Sequence, residues 1–432
     1  MLCIEVSGGI EQVSPQGSSS GFDDWISSSL DVFKGIFIVF MLAEHTRSSF
    51  GMGMSSKEPI MQFVSQVACS LDMTCFSTAY GFSCYRAYLT TTKGRSPAHQ
   101  LKRIFRSVGL IVAALWMCNI IFELGVLRNP PTWANIRKIF MFEVLYWDFL
   151  ATFPAMLLIA FLTTKPLMSF ASRSGFAMRL VVFVVLLGWP MLASGWALDV
   201  CPTLSSKYAA IFVGCVKRSM GAMRFSAFTY MFFFNLGCIL SMYTLEFAKS
   251  GMKVSSISLS SALRQPHWLA FAVLVGVEVY FVIPLLGAYN SSWEYLNWNG
   301  YRRFPMSTPL ILAWGFLSQS VAVFALVLTA IARGDICKIC SKAPSFARDF
   351  ARIACSVLEH FGANVLLYLT ISNFTINSLF HVEWGQFQES PKRPVGGDVL
   401  SLRTWEWIVL GAAVGQILLV QLIRYLILSG RK

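Results

Sequence analysis

Charge is scarce in this chain: of its 432 residues only 13% are Asp, Glu, Lys or Arg, while 55% are hydrophobic. A water-soluble fold carries about a quarter of its residues charged, so this composition excludes an ordinary soluble enzyme and points to lipid. Acidic groups are the scarcer sign, 22 against 35 basic residues, and histidine occurs only five times. The first 25 residues, MLCIEVSGGIEQVSPQGSSSGFDDW, lack the basic start and short apolar core of a signal peptide. Their Ser- and Gly-rich composition instead reads as a flexible cytosolic tail over 1–27. No internal repeat, long hydrophilic insertion or separate soluble domain interrupts 28–430, which is expected to be one transmembrane domain. Cys337 and Cys340 form a lone CxxC with no second pair or nearby histidine, so no metal site is expected there. Cys69, Cys75, Cys84, Cys118, Cys238 and Cys355 fall in apolar runs, where a thiol fills space.

What the chain has in abundance is long apolar runs. Stretches of roughly 20 or more mainly apolar residues, enough to cross about 30 Å of hydrocarbon, lie at 28–49, 60–91, 103–126, 139–163, 177–198, 224–246, 267–288, 307–332, 351–380 and 402–428. The expected fold class is all-α, a polytopic membrane bundle of about ten transmembrane helices. Lys and Arg gather in alternate connections, notably Lys93, Arg95, Lys102, Arg103 and Arg106, then Lys338, Lys342, Arg348 and Arg352. By the positive-inside rule this places both termini in the cytosol. Basic residues elsewhere, such as Lys217 and Arg302, soften the bias. The net charge of +13 is read as this orientation signal plus attraction to membrane lipids, not as nucleic-acid binding.

The first apolar run contains Asp31, Lys34, Glu44 and His45, and ionisable groups are costly in lipid unless they serve water, a ligand or each other. A helix turns about 100° and rises 1.5 Å per residue, so the eleven steps from Lys34 to His45 make three turns plus roughly 20°. The two side chains share a face, with a rise of about 16 Å between them. Asp31 is placed to pair with Lys34 by the i, i+3 rule. A plainer reading has Lys34 snorkel to the cytosolic interface with Asp31 while His45 caps the outer helix end.

Four segments together carry a resemblance. LDVFKG at 30–35, followed by ten residues between Lys34 and His45, resembles the opening of the acyltransferase family 3 superfamily, with its L-D-x-x-R-G start and arginine-x10-histidine signature. MTCFSTAYGF at 73–82 is similar to that group's second-helix aromatic pattern ending in S-G-[FY]. RIFR at 103–106, expected in a basic cytosolic loop, stands where the group has R-x-x-R. LEHFGANVLLY at 358–368 resembles its G-x-x-S-x-x-x-Y helix. FEVLYWD at 142–148 and Asn364 in place of serine lean toward the OpgC-like, glucan-modifying branch and a related uncharacterised branch. One departure stands out: Lys34 occupies the arginine position, keeping the charge but losing the planar fork that grips a carboxylate or phosphate bidentately.

The resemblance implies transfer of an acyl group, usually acetyl, from acetyl-CoA to a hydroxyl of a carbohydrate or small-molecule acceptor. An imidazole has the pKa range to take the hydroxyl proton, which makes His45 the candidate base; acylation of His45 itself is an alternative route. Lys34 and Asp31 complete the catalytic candidates. CoA is polyanionic and cytosolic, so Arg103, Arg106 and Lys102 are its candidate binding residues. Asp72 and Asp148 are candidates for orienting His45 or binding substrate. Tyr146 and Trp298 are further substrate-binding candidates, the latter in the aromatic and amide-rich loop 290–303, which is equally an interfacial aromatic belt. His360 and Asn364, four residues apart, are expected as packing glue between helices. Two other function classes stay open: a transporter of an organic anion or acyl donor, and a catalytically silent relative.

Overall fold

The computed structural model of the protein describes residues 20–49, 75–90, 96–120, 129–140, 149–200, 227–249, 344–365 and 367–368, and the single positions 411, 415, 418 and 422. These residues are 91% helical and include no strand, so the described part is all-α. The apolar runs at 267–288 and 307–332 lie outside the described residues, and 402–428 is described only at four positions. In chain order the helices are α1 Ser20–Ser49, α2 over 75–84 continuing into a π-helical turn Tyr85–Leu89, α3 Pro97–Ile120, and α4 Trp133–Phe140. They are followed by α5 Phe149–Leu162, α6 Thr164–Ala171, α7 Phe176–Val200, α8 Ala227–Lys249 and α9 Ser345–Ala363.

Local chemistry sets several helix ends away from where hydropathy puts them. α1 begins at Ser20, so 20–27, the last part of the stretch read as a tail, are helical. α3 begins at Pro97, whose missing N–H costs nothing at a first helical position. Ser96 caps it, its Oγ accepting from the His99 N–H at 3.3 Å. Lys102, Arg103 and Arg106 therefore stand on the opening turns of a helix, not in a loop. Thr132 caps α4 in the same way, accepting from the Asn135 N–H at 3.3 Å. α9 starts at Ser345, after Pro344, well before the hydrophobic run.

Among the described residues no single helix is long and apolar enough to cross a membrane; Thr152–Leu162 and Thr164–Ala171, bent by 49° to each other, meet that length and composition as a pair. The bend has a local cause. Pro166 has no N–H to give to the Leu162 carbonyl and its ring crowds that oxygen, while the Thr163 hydroxyl donates back to the Ile159 carbonyl at 2.9 Å.

The core is aromatic and centred on α8. Tyr230, Met231, Phe232, Phe233 and Phe234 are all buried, and a helix apolar all round belongs inside a bundle. α8 packs against α7, α5 and the π-helical turn, and touches α1. Tyr80 sits between Phe153 and Phe234, with ring centroids at 4.8 and 5.6 Å. Asn235, fully buried in this apolar run, accepts from the Thr164 hydroxyl and donates to the Leu186 carbonyl, both at 2.7 Å. One amide thus ties α8 to α6 and α7. Cys75, Cys84 and Cys238 are buried thiols within the same core, as their apolar sequence context suggests.

Two helix crossings are closer than side chains allow. α1 and α9, which share the most extensive contact of any helix pair described here, meet where Gly35 faces the Leu358 carbonyl and Gly362 faces the Asp31 carbonyl. α2 and α8 meet where Gly81 faces the Phe234 carbonyl and Gly237 faces the Thr78 carbonyl. At all four positions a methyl group would collide with backbone.

Gly81→Ala and Gly362→Ala are each expected to destabilise the fold by at least about 1–3 kcal/mol, the range for overpacking, since a backbone carbonyl cannot swing aside. Gly109→Ala, where a methyl would enter open space, is expected to be neutral or stabilising by up to about 1 kcal/mol. Thermal unfolding of the three variants in one detergent checks this, and three equal midpoints would count against the crossings.

Candidate functional site

α1 brings its ionisable residues to the α1–α9 crossing. Lys34 Nζ lies 2.5 Å from Asp31 Oδ1, with the two side chains only 16% and 15% exposed. The i, i+3 spacing makes the pair possible and the crossing partly dries it. The carbonyl of Asp31 lies against Gly362, and Gly35 follows Lys34 directly, so the ion pair is embedded in the glycine contact. Two of the four segments singled out in the sequence, 30–35 and 358–362, are thereby packed face to face.

Further along α9 the amide of Asn364 donates to the His360 carbonyl of its own helix at 2.8 Å, a bond within the helix where sequence spacing suggested a link between helices. The ring of Tyr368, fully buried, meets Phe361 at 5.0 Å. His45 lies on the helical backbone of α1, about 16 Å of helix rise beyond Lys34; its side chain is outside the described residues. Asp72, Tyr146, Asp148 and Trp298 also lie outside the described residues.

Of the other two segments, 103–106 reaches the π-helical turn that follows 73–82. The helix that carries Gly81 runs on into the π-helical turn, and the guanidinium of Arg103 stands over the Tyr88 ring at 5.5 Å. Arg103 is thus turned toward the bundle, while Lys102 and Arg106, one helical turn apart, are exposed. π-helical turns inside α-helices are frequent at functional sites. Here the turn also aims Arg86 at α8: its Nε and Nη2 donate to the hydroxyls of Ser241 at 3.3 Å and Thr244 at 3.0 Å. The Phe82 ring lies 4.9 Å away. Arg86 is absent from the residues selected by sequence, although a lone arginine in an apolar run was a usable signal.

Two further polar ties close this end of the bundle. Lys165 Nζ donates to Gln100 Oε1 at 2.6 Å, and Gln100 in turn donates to the Thr90 carbonyl at 3.3 Å. Arg179 pairs with Glu246 at 2.9 Å and donates to the Ala171 carbonyl at 3.3 Å. α8 touches α1 and also the π-helical turn. Among the described residues no group of three or more His, Cys, Asp or Glu is placed to hold a metal ion.

Removing either half of the Asp31–Lys34 pair leaves the other partly buried and uncompensated. Asp31→Asn is therefore expected to cost about 1.5–3 kcal/mol, the range for a hydrogen bond to a charged group, and the double variant Asp31→Asn with Lys34→Met less than the sum of the two. Asn235→Ala is expected to cost about 1–3 kcal/mol, because it orphans the Thr164 hydroxyl and the Leu186 carbonyl. A double-mutant cycle on the thermal midpoint reads out the first, and additivity within error would show no coupling between the charges.

No protein-family model matches the chain, and no curated protein or solved structure is significantly similar to it.

Proposed function

We propose that the chain is an integral-membrane O-acyltransferase. It moves an acyl group, usually acetyl, from cytosolic acyl-CoA to a hydroxyl of a carbohydrate or small-molecule acceptor. The observation that carries this reading is the embedded Lys34–Asp31 pair at the α1–α9 crossing, where two segments far apart in the chain and alike to one family's signatures pack on each other. An ion pair held only 15–16% exposed in an apolar bundle is a costly feature, and such features mark function more often than packing.

The membrane half of the proposal draws on the outer surface. Leu180, Val181, Val184 and Val185 of α7 are exposed large apolar residues in i, i+3/i+4 register, followed by Leu192 and Trp196. Val182, Phe183 and Leu186 on its other side are buried. A helix apolar on its outer as well as its inner face has lipid as its natural surroundings. The proposed arrangement is about ten spans with both termini in the cytosol.

In the proposed reaction His45 takes the proton of the acceptor hydroxyl as its oxygen attacks the thioester carbonyl. The C–S bond then breaks, an ester forms, and CoA leaves as a thiolate that takes up a proton. Lys34, oriented by Asp31, holds the donor along the stripe that leads to His45. Of the basic residues at the cytosolic end, Arg103 is turned toward the bundle and meets the phosphates of the CoA nucleotide. Lys102 and Arg106 face outward.

His45→Ala is expected to lower acyl transfer by about a hundred- to ten-thousand-fold, the range for a general base, with unchanged recovery in membranes. Lys34→Arg is expected to keep activity, whereas Lys34→Met loses it. Mass spectrometry of cell glycans and lipids with and without the gene provides the assay, as a 42-dalton difference. Full activity in His45→Ala would sink the proposal. Retention in the membrane pellet after alkaline carbonate extraction tests the membrane half separately.

A further inference from the structure

Among the described residues, one end of the bundle gathers cations far in excess of acids. The helices α2, α5 and α8 end there while α3 and α7 begin there, as the ties from Arg86 to α8, Lys165 to α3 and Arg179 to α8 show. On the described segments 85–90, 96–110, 163–180 and 240–246 there are seven Lys and Arg residues and one acidic residue, Glu246. That carboxylate is taken by Arg179. The excess positive charge therefore has no acidic counterpart on these segments.

The outward part of this end has a second property. On α3 the exposed Lys102 and Arg106 flank Phe105, which is 57% exposed. At the turn from α6 to α7 the exposed Arg173 lies between Phe170 and Phe176, 52% and 79% exposed. Cations and large aromatic rings thus alternate outward on two neighbouring elements, which the Lys165–Gln100 bond holds together. A soluble anion would use the cations and leave the rings stranded in water. Anionic phospholipid uses both, with phosphate against the cations and the rings in the boundary between headgroups and acyl chains.

We infer that the surface formed by the start of α3 and the α6–α7 turn is a docking site for anionic phospholipid headgroups, with Lys102, Arg106 and Arg173 as the phosphate contacts and Phe105, Phe170 and Phe176 as the apolar anchors. The inference is independent of acyl transfer and shares with that reading only the membrane. A basic residue near an anionic surface contributes about five-fold in binding, so the three together contribute about a hundred-fold.

The test uses the full chain purified in detergent and a fluorescent phosphatidylglycerol whose binding is followed by anisotropy. Competitors are unlabelled phosphatidylglycerol, phosphatidylcholine and soluble glycerol phosphate. Replacing Lys102, Arg106 and Arg173 together by Gln is expected to weaken binding about a hundred-fold, and Arg173→Gln alone about five-fold. Arg137→Gln, an exposed arginine on α4 beyond the far end of α3, is expected to leave it unchanged. Retained binding in the triple variant overturns the inference, as does equal loss in Arg137→Gln, which would make net charge the cause. Competition by glycerol phosphate as effective as that by the lipid would assign the site to a soluble phosphate instead. Should Arg173→Gln bind as wild type while the triple variant fails to fold, the inference also falls.

Discussion

Backbone-to-backbone approach at glycine is the constraint on which the rest of this structure depends. Where Gly35 meets the Leu358 carbonyl and Gly362 that of Asp31, and where Gly81 meets the Phe234 carbonyl and Gly237 that of Thr78, the missing Cβ atoms let carbonyls of one helix rest on the next. Helices brought this close gain dispersion contacts along their whole shared length, and in lipid such packing replaces the hydrophobic drive that water would supply. The closeness also decides the fate of nearby polar groups. Asp31, whose own carbonyl faces Gly362, and Lys34, next to Gly35, stand at the contact itself, so they lose most of their access to solvent and hold to each other.

The second crossing organises the opposite part of the bundle by the same means. With α2 pressed on α8, the π-helical turn that follows brings Arg86 to Ser241 and Thr244 and places Tyr88 under Arg103. α8 pays for its central position with one buried amide, and Asn235 is satisfied on both sides by α6 and α7. Buried polar groups of this kind cost free energy unless every partner is present, so the amide selects one arrangement of three helices over others that bury the same apolar area.

Function, in the proposed reading, uses the two crossings differently. The α1–α9 contact holds an ammonium on the helical stripe that leads to His45, and the α2–α8 contact builds a cationic end where a polyanionic donor or a lipid headgroup finds its counter-charges. Lys102, Arg106 and Arg103 fall at about 0°, 40° and 100° around α3, and only Arg103, at the edge of that arc, reaches the Tyr88 ring while the other two stay exposed. A single basic cluster in sequence is therefore divided by geometry into an inner and an outer set.

Much of this was legible in the amino-acid order. The helical class follows from apolar runs too long for strands, and the Asp31–Lys34 pair from i, i+3 spacing alone, because both depend on local geometry. The start of α3 was legible too, in Ser96-Pro97, although hydropathy alone placed it later. What the tertiary structure decided is which helix each glycine faces, that segments 30–35 and 358–362 meet, and that Arg86 and Asn235 find hydroxyls and carbonyls on other helices. Those choices rest on contacts between residues more than a hundred positions apart in several cases, and no local spacing encodes which apolar face will meet which.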